Sequence, residues 1–360
     1  IFSRRAWKEK YEKYERHISS VALISGFIID TLTLSRIDRF FETFVFFGYL
    51  FLASTGIILV NLAEQNRLGE KPSKFHTLFL VVIQFSFGAL FSGFTVFYFR
   101  SASLTASWPF ILFLLALLVG NEFFRTRYQK LVFQISILFV AIFSLSIFYV
   151  PIITKTLGVG TFIVSGSISL VIIGLFLFVV SCFLPNRIYE SKKTIAGSIL
   201  GIFVIINIFY FTNIIPPIPL SLKDVGVFHN VSKKISGYEV IGEDRSWYEF
   251  LFPFQRISLM KEKPIYVLSS VFAPTNLNTN IVHNWQYFDE GIKRWVSVSK
   301  IEFAIEGGAD GGYRGYSQKT NLFTGYWRVD IETPRGQVIG RIRFKIVEVK
   351  DFLRLETKKF

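Results

Sequence analysis

The sequence predicts a two-part membrane protein, an all-α bundle of seven transmembrane helices followed by a C-terminal all-β antiparallel sandwich. Three observations carry that reading. Of the 360 residues, 51% are hydrophobic and only 18% are charged, against about 25% charged in soluble domains. The stretch 18–214 is a succession of apolar runs separated by short basic connections. From Val225 onward those runs give way to short segments that alternate apolar and polar residues.

A bilayer core about 30 Å thick is crossed by roughly 20 helical residues, and lipid leaves no water to satisfy an open sheet edge, so the long runs are helices. Seven spans are expected, at 18–34, 40–62, 75–99, 104–124, 131–153, 158–184 and 195–214. A basic arm, 1–17, precedes them. Its RRAWKEKYEKYER run sets Trp7, Tyr11 and Tyr14 on or near one side, and reads as an amphipathic helix on anionic lipid or as a solvated extension of the first span. Lys and Arg fall unevenly in the connections. One side collects Arg4, Arg5, Lys8, Lys10, Lys13 and Arg16, then Arg67, Lys71 and Lys74, then Arg125, Arg127 and Lys130, then Arg187, Lys192 and Lys193, whereas the other holds Arg36, Arg39, Arg100 and Lys155. Positive connections stay inside. The N-terminus is therefore expected in the cytoplasm and the chain beyond the seventh span outside, which in a double-membraned bacterium is the periplasm. These flanks account for most of the formal charge of +14, so the expected partner is the lipid bilayer and not nucleic acid.

Residues 215–224, with three prolines, are expected as a stiff stalk, 225–350 as a sandwich of six to eight antiparallel strands, and 351–360 as a tail. Strand patterns occur at 265–273, 280–288, 326–332 and 337–347. The last two are joined by TPRG, with Pro334 and Gly336 at the second and fourth positions of a type I turn. On the return strand Val338, Ile342, Phe344 and Ile346 are expected on one face and Arg341, Arg343 and Lys345 on the other, as a solvated basic ladder. The segment 242–262 fits this pattern less well and reads as a short helix or an aromatic loop near the membrane.

The stretch GGADGGYRGYSQKTNLFTGYWRVDI, 307–331, is the richest in chemistry. A phosphate loop needs Gly before its Lys-Thr pair and a helix after it; here Gln318 precedes Lys319 and Thr320, and strands flank the loop. The dinucleotide fingerprint fails at Asp310. A Gly-rich β-connection with positive φ angles is expected instead. Two roles remain open for its neighbourhood. In the first, His283 and Trp285 on one strand face join Tyr316 and Lys319 in an exposed site for sugar rings or anionic headgroups. In the second, Trp285 and Trp327 are core, and Arg314 pins the loop by donating to carbonyls, a structural role expected for Arg314 and Trp327.

Elsewhere, Asp30 and Glu42 flank Arg36 and Arg39 at the outer end of the first hairpin. An ionised carboxylate in lipid costs about 2.5–3.5 kcal/mol, so these four are expected as a structural clamp, with ion coupling as the alternative. Gln84, Gln134 and Asn207 supply the mid-span polarity. Gly197 with Gly201, and Ser165, Gly166, Ser167 and Ser169, read as close-packing surfaces. Cys182 is expected as a buried thiol. The four histidines form no H-E-x-x-H and no second Cys accompanies the first, so no catalytic residue, metal or cofactor is expected.

H-x-W at His283–Trp285, GGYRGYS at 311–317, Lys319 and G-x-WRV at 325–329, together with GFIIDTLTLSRID (26–38), GNE (120–122) and NIIPPIPLSLKD (213–224), give the chain a resemblance to bacterial polytopic membrane proteins that carry a C-terminal domain of unknown function, family twenty-nine fourteen. The resemblance implies the architecture and no activity. The function expected is a non-enzymatic envelope scaffold or binding protein whose exported sandwich recognises a glycan, a lipid headgroup or a partner protein. The alternatives are a transporter coupled through Asp30 and Glu42, and an envelope enzyme pairing His283 with a carboxylate such as Asp310 or Asp330. A reporter that works only in the cytoplasm, fused after Phe360, should stay silent; activity there would overturn the orientation.

Overall fold

The computed structural model describes residues 25, 27–34, 40–65, 67, 76–101, 104–123, 128, 130–234, 237–243, 254–260, 263–275, 277–306, 311–349 and 355–360. The chain divides into two compact units, Ile1–Phe99 with Ser107–Ile215, and Arg100–Ala106 with Pro216–Phe360. The basic arm, the start of the first expected span, Arg36, Arg39, Asp310 and most of 242–262 lie outside the described residues.

Residues 27–33 are helical. They are followed by α1 (Phe40–Glu64), α2 (His76–Ser101), α3 (Leu104–Phe123), α4 (Leu131–Thr154), α5 (Val159–Phe183) and α6 (Pro185–Phe211). Among the described residues five helices, α1, α2, α4, α5 and α6, are long and apolar enough to cross a membrane, and α3 is apolar over Ser107–Asn121. That count is lower than the seven expected. The helix α4 is the hub, with 83% of its most apolar window buried against 22% for α6. Aromatic rings fill the space around it: Phe143 stacks on Phe162 and Phe203, and Phe148 meets Phe94 and Tyr98. Of the expected close-packing set, Ser165, Gly166 and Ser169 face inward, while Ser167, on another side of the helix, is exposed.

Several sequence expectations change here. The last helix begins at Pro185, ten residues before the expected 195, because proline at the first helical position loses no backbone bond. Leu184 alone separates α5 from α6; its N–H bonds Val180 O and its C=O accepts from Ile188 N–H. Gly197 and Gly201 point away from the bundle, with nothing within 4 Å of a Cβ built on either. Cys182 is exposed on α5 rather than buried. Gln134 belongs to the first turn of α4, not to mid-span.

Polar contacts collect where α1, α3 and α5 end and α2, α4 and α6 begin. Asn61 Nδ2 donates to Gln134 Oε1 (2.7 Å), and Gln134 Nε2 to Tyr128 O (2.5 Å). Arg187 Nη1 serves both Asn61 Oδ1 (2.7 Å) and Glu64 Oε2 (2.6 Å). The Tyr128 hydroxyl donates to Asn121, whose Nδ2 reaches Gln84 O (3.0 Å). Arg67 donates to the orphan carbonyl of Phe183 at the end of α5.

The second unit holds β1 (Ser221–Phe228), β2 (Asn230–Lys234), β3 (Gly237–Glu243), β4 (Gln255–Leu259), β5 (Ile265–Phe272), β6 (Asn278–Asp289), β7 (Arg294–Glu306), β8 (Tyr313–Lys319), β9 (Gly325–Glu332), β10 (Val338–Glu348) and β11 (Leu355–Lys359). They form three sheets, ordered β1-β5-β8, β4-β10-β9-β6-β7 and β11-β3-β2. The main core lies between the first two, where Val227, Ile265 and Val267 meet Trp285, Trp327, Val329 and Phe344. A smaller cluster, Val231, Val240 and Leu268, joins the first sheet to the third.

The expected hairpin is present: Gly336 N–H donates to Thr333 O (2.8 Å) between β9 and β10. The sandwich is not purely antiparallel, however, since β4 runs parallel to β10. The expected tail supplies β11, paired with β3. The expected stalk is buried from Ile215 to Leu220, where consecutive turns bond Ile218 N–H to Pro216 O and Leu220 N–H to Pro217 O, and β1 starts at Ser221. A register shift between Val338 and Gly340 moves Val338 opposite Glu332, out of phase with Phe344 and Ile346. The basic ladder is only partly solvated, because Arg341 clamps Asp330.

Interhelical hydrogen bonds in membranes contribute about 0.6 kcal/mol on average and up to about 1.7. Asn61→Ala, which breaks two of them, should lower the unfolding free energy in mixed micelles by about 1–2 kcal/mol. Among the described residues Asn207 bonds only Phe203 O of its own helix, so Asn207→Ala should stay within about 0.5 kcal/mol of the parent.

Candidate functional site

The strand β6 turns Ile281, His283 and Trp285 toward the sandwich interior, and His283 and Trp285 are both 0% exposed. There they meet two serines. His283 Nε2 bonds Ser269 Oγ of β5 and Nδ1 bonds Ser317 Oγ of β8, each at 2.8 Å. Trp285 Nε1 donates to the same Ser317 oxygen at 2.9 Å. The Phe303 ring closes edge-on over the imidazole, with centroids 4.9 Å apart. Burial pushes the His283 pKa down to about 3, so the ring is neutral with one nitrogen donating and one accepting.

The four residues expected to share an exposed site are therefore divided. Side chains alternate along β8, so Ser317 points inward and Tyr316, 41% exposed, points outward. Lys319, on the inward phase at the strand's end, donates to Ser299 Oγ (3.1 Å). Trp327 is core, 1% exposed, its indole donating to Phe323 O. Among the described residues Arg314 Nε, sealed from water, has no hydrogen-bond partner, so the expected pinning of carbonyls does not use that donor there. Asp330 lies on the opposite sheet face from His283, since its cross-strand neighbour is Asn284, so the two cannot act on one substrate. In the helical unit Asp30 Oδ2 accepts from Ser92 Oγ (2.5 Å), and Glu42 is buried in the first turn of α1.

The glycine stretch serves packing in its described part. Gly312 has φ 82°, and a Cβ on Gly315 would fall 2.1 Å from the Phe303 ring. With glycine there, Phe303 can settle on His283.

Outside, Tyr316 belongs to a tyrosine cluster that sequence reasoning missed. The rings of Tyr238 and Tyr266 each lie 6.1 Å from it, and the Tyr238 hydroxyl donates to Arg314 O (3.2 Å). Burial, then the neighbouring Tyr313 and Tyr316, raise the Tyr238 pKa and keep its hydroxyl a donor. A cleft of about 540 Å³ lies elsewhere, between Leu259 and Ile346 and the connection Asn321–Thr324, with Lys263 and Glu348 in its lining. None of the four candidates lines it.

The buried imidazole gives a pH prediction. Its folded pKa of about 3 lies below the ordinary 6.5, so between these values the unfolded chain binds a proton that the folded chain refuses. Stability from this group is complete above pH 6.5 and declines as pH falls toward 3, by at most about 1.4 kcal/mol per pH unit. Urea unfolding of the purified chain should show that slope, and His283→Gln should flatten it. An unchanged slope would mean that the ring is protonated in the fold.

No curated protein matches the chain by sequence. Solved structures similar to parts of it include a β-glucosidase from Listeria innocua in complex with gluconolactone (10% identity, TM-score 0.20, 36% of this chain and 16% of that one). Another is the alkylpurine DNA glycosylase AlkC of Pseudomonas fluorescens bound to DNA containing an abasic site analog (7% identity, TM-score 0.22, 83% and 96%). Likenesses this loose carry no argument about fold or activity. Residues 278–346, from the start of β6 nearly to the end of β10, match the family described as "Protein of unknown function (DUF2914)", so the C-terminal region carries the domain of unknown function that its motifs resemble.

Proposed function

We propose that this is a multi-pass protein of the bacterial inner membrane, N-terminus cytoplasmic, whose exported β unit is a non-enzymatic binding or scaffold module. The observation that carries the reading is the opposite fate of two neighbours in the matched segment. His283, the residue an envelope enzyme would need, is enclosed and fully engaged, whereas Tyr316 stands outward in a cluster of tyrosines. Rigid amphipathic rings with hydroxyl tips suit recognition of a glycan, a headgroup or a protein surface. Family and fold leave the ligand open. A second reading, transport, is favoured by Glu42, 5% exposed, and by Asp30 held on Ser92 in the helical unit.

Photo-crosslinking in living cells tests the first reading. A photoreactive residue replacing Tyr316 should capture an envelope component, and the same residue replacing Val298, which is equally exposed on β7 at 41%, should not. Identical capture from both positions, or none from 316, would sink the binding reading. Substrate uptake by proteoliposomes that is lost in Asp30→Asn would install transport in its place.

A further inference from the structure

The outer face of the five-stranded sheet carries its charges in cross-strand rows. In one row Lys300, Asn284, Asp330 and Arg341 lie side by side, and the charges are matched: Arg341 Nε and Nη2 donate to the two oxygens of Asp330 at 2.5 and 2.7 Å. The next row sets Arg328 directly opposite Arg343, beside the neutral Gln286. The row after that sets Lys345 opposite Tyr326 and in register with Arg256 of β4. These two rows contain four cations and no carboxylate. Like charges facing each other across a strand pair destabilise it, and the carboxylate that offsets this is Asp330 of the preceding row, whose Oδ1 lies 3.9 Å from Arg328 Nε.

The cations are nonetheless held in place. The Trp295 ring lies 4.6 Å from the Arg328 guanidinium and the Tyr326 ring 5.0 Å from Lys345 Nζ. Arg328 spends Nε and Nη2 on Gln286 Oε1 (2.9 and 2.7 Å). Among the described residues Arg343 Nε, sealed from water, has no hydrogen-bond partner, while Arg256 is exposed. Burial first, then the adjacent Arg341 and Arg343 against the pull of Asp330, draws the Arg328 pKa down to about 10.

We propose that this face is a binding site for a phosphate group, held by Arg343 and Arg256 with Arg328 and Lys345 flanking. A guanidinium presents a planar fork that matches two oxygens of a tetrahedral oxyanion, and a dianion neutralises two cations where a carboxylate neutralises one. The group is carried by a soluble phosphate ester or by a lipid headgroup. The site occupies the opposite side of the sandwich from the tyrosine cluster and stands or falls independently of it.

The test uses the full-length chain in nanodiscs, with hydrogen exchange of peptides from 255–259 and 338–348 as the readout. Protection in phosphatidylcholine discs on adding pyrophosphate, beyond that of sodium chloride at matched ionic strength, identifies a soluble ester. Protection without pyrophosphate, only in discs containing phosphatidic acid, whose phosphomonoester can carry two charges, identifies a headgroup. Arg343→Gln and the exposed Arg256→Gln should each weaken the response at least tenfold, with the melting temperature in chloride unchanged in Arg256→Gln and unchanged or higher in Arg343→Gln, where a repulsion is removed. Equal protection by chloride, none in either arm, or undiminished binding in both variants overturns the proposal.

Discussion

The β unit closes on the hydroxyl of Ser317. Its oxygen accepts the Trp285 indole N–H and bonds His283 Nδ1, and all three side chains are buried. Leaving either nitrogen unpaired in an apolar core would cost about 1–3 kcal/mol, so β8 cannot shift register against β5, its hydrogen-bonded partner, without losing the contacts to β6. Because strand side chains alternate, Ser317 inward places Gly315 inward, under the Phe303 ring, and sends Arg314 and Tyr316 out. One polar contact thus decides which residues of YRGYSQK fold the protein and which meet the surroundings.

The helical unit obeys the same rule with a different solvent outside. Asn61 and Gln134 are each 0% exposed and bond one another, and Arg187 joins Asn61 to Glu64. These groups sit at helix ends, where orphan backbone groups and basic side chains already need partners. The interior around α4 is left to rings and aliphatic chains, whose fit comes from dispersion rather than from exclusion of water. Polar side chains fix which helices are neighbours, and the aromatic contacts fill the space that results.

Periodicity made much of this architecture legible in the sequence. Alternation located β5, β6, β9 and β10 to within two residues at each end, and the TPRG turn located the hairpin, because both signals are local. Among the described residues eleven strands replace the six to eight expected: β1, β2, β3, β7 and β8 fall outside the expected runs, and the parallel β4 and the terminal β11 each owe their strand form to a partner distant in the chain, Phe344–Glu348 for one and Glu239–Glu243 for the other. The candidate site suffered the same limit. Alternation put His283 and Trp285 on one face, and no local signal says whether a face looks into the core or out of it. A hint existed in IYVLSSVFA, where two serines interrupt an otherwise apolar strand: Ser269 is 0% exposed and needs a polar partner inside. His283 is that partner.

The residues that carry the family resemblance show why it predicts fold better than activity. His283, Trp285, Gly315, Ser317 and Trp327 all point inward, and each makes or permits a contact between the five-stranded sheet and the sheet β1-β5-β8. The same motifs contain Arg314, Tyr316 and Arg328 on the other phase, so it is the inward half of the pattern that recognises a way of closing a sandwich. Activity then has to be sought on the other phase of the same strands, where side chains are not needed for closure and stability does not dictate their chemistry. On β8 that phase presents Tyr316 beside Tyr238 and Tyr266; on β9 and β10 it presents Arg328 opposite Arg343, like charges across a strand pair. Tyr238 and Tyr266 also pack on the small core between the first and third sheets, and Tyr238 bonds Arg314 O, so the exposed Tyr316 and the two cation rows, which lie outside both cores, are the places where the protein's function is to be looked for.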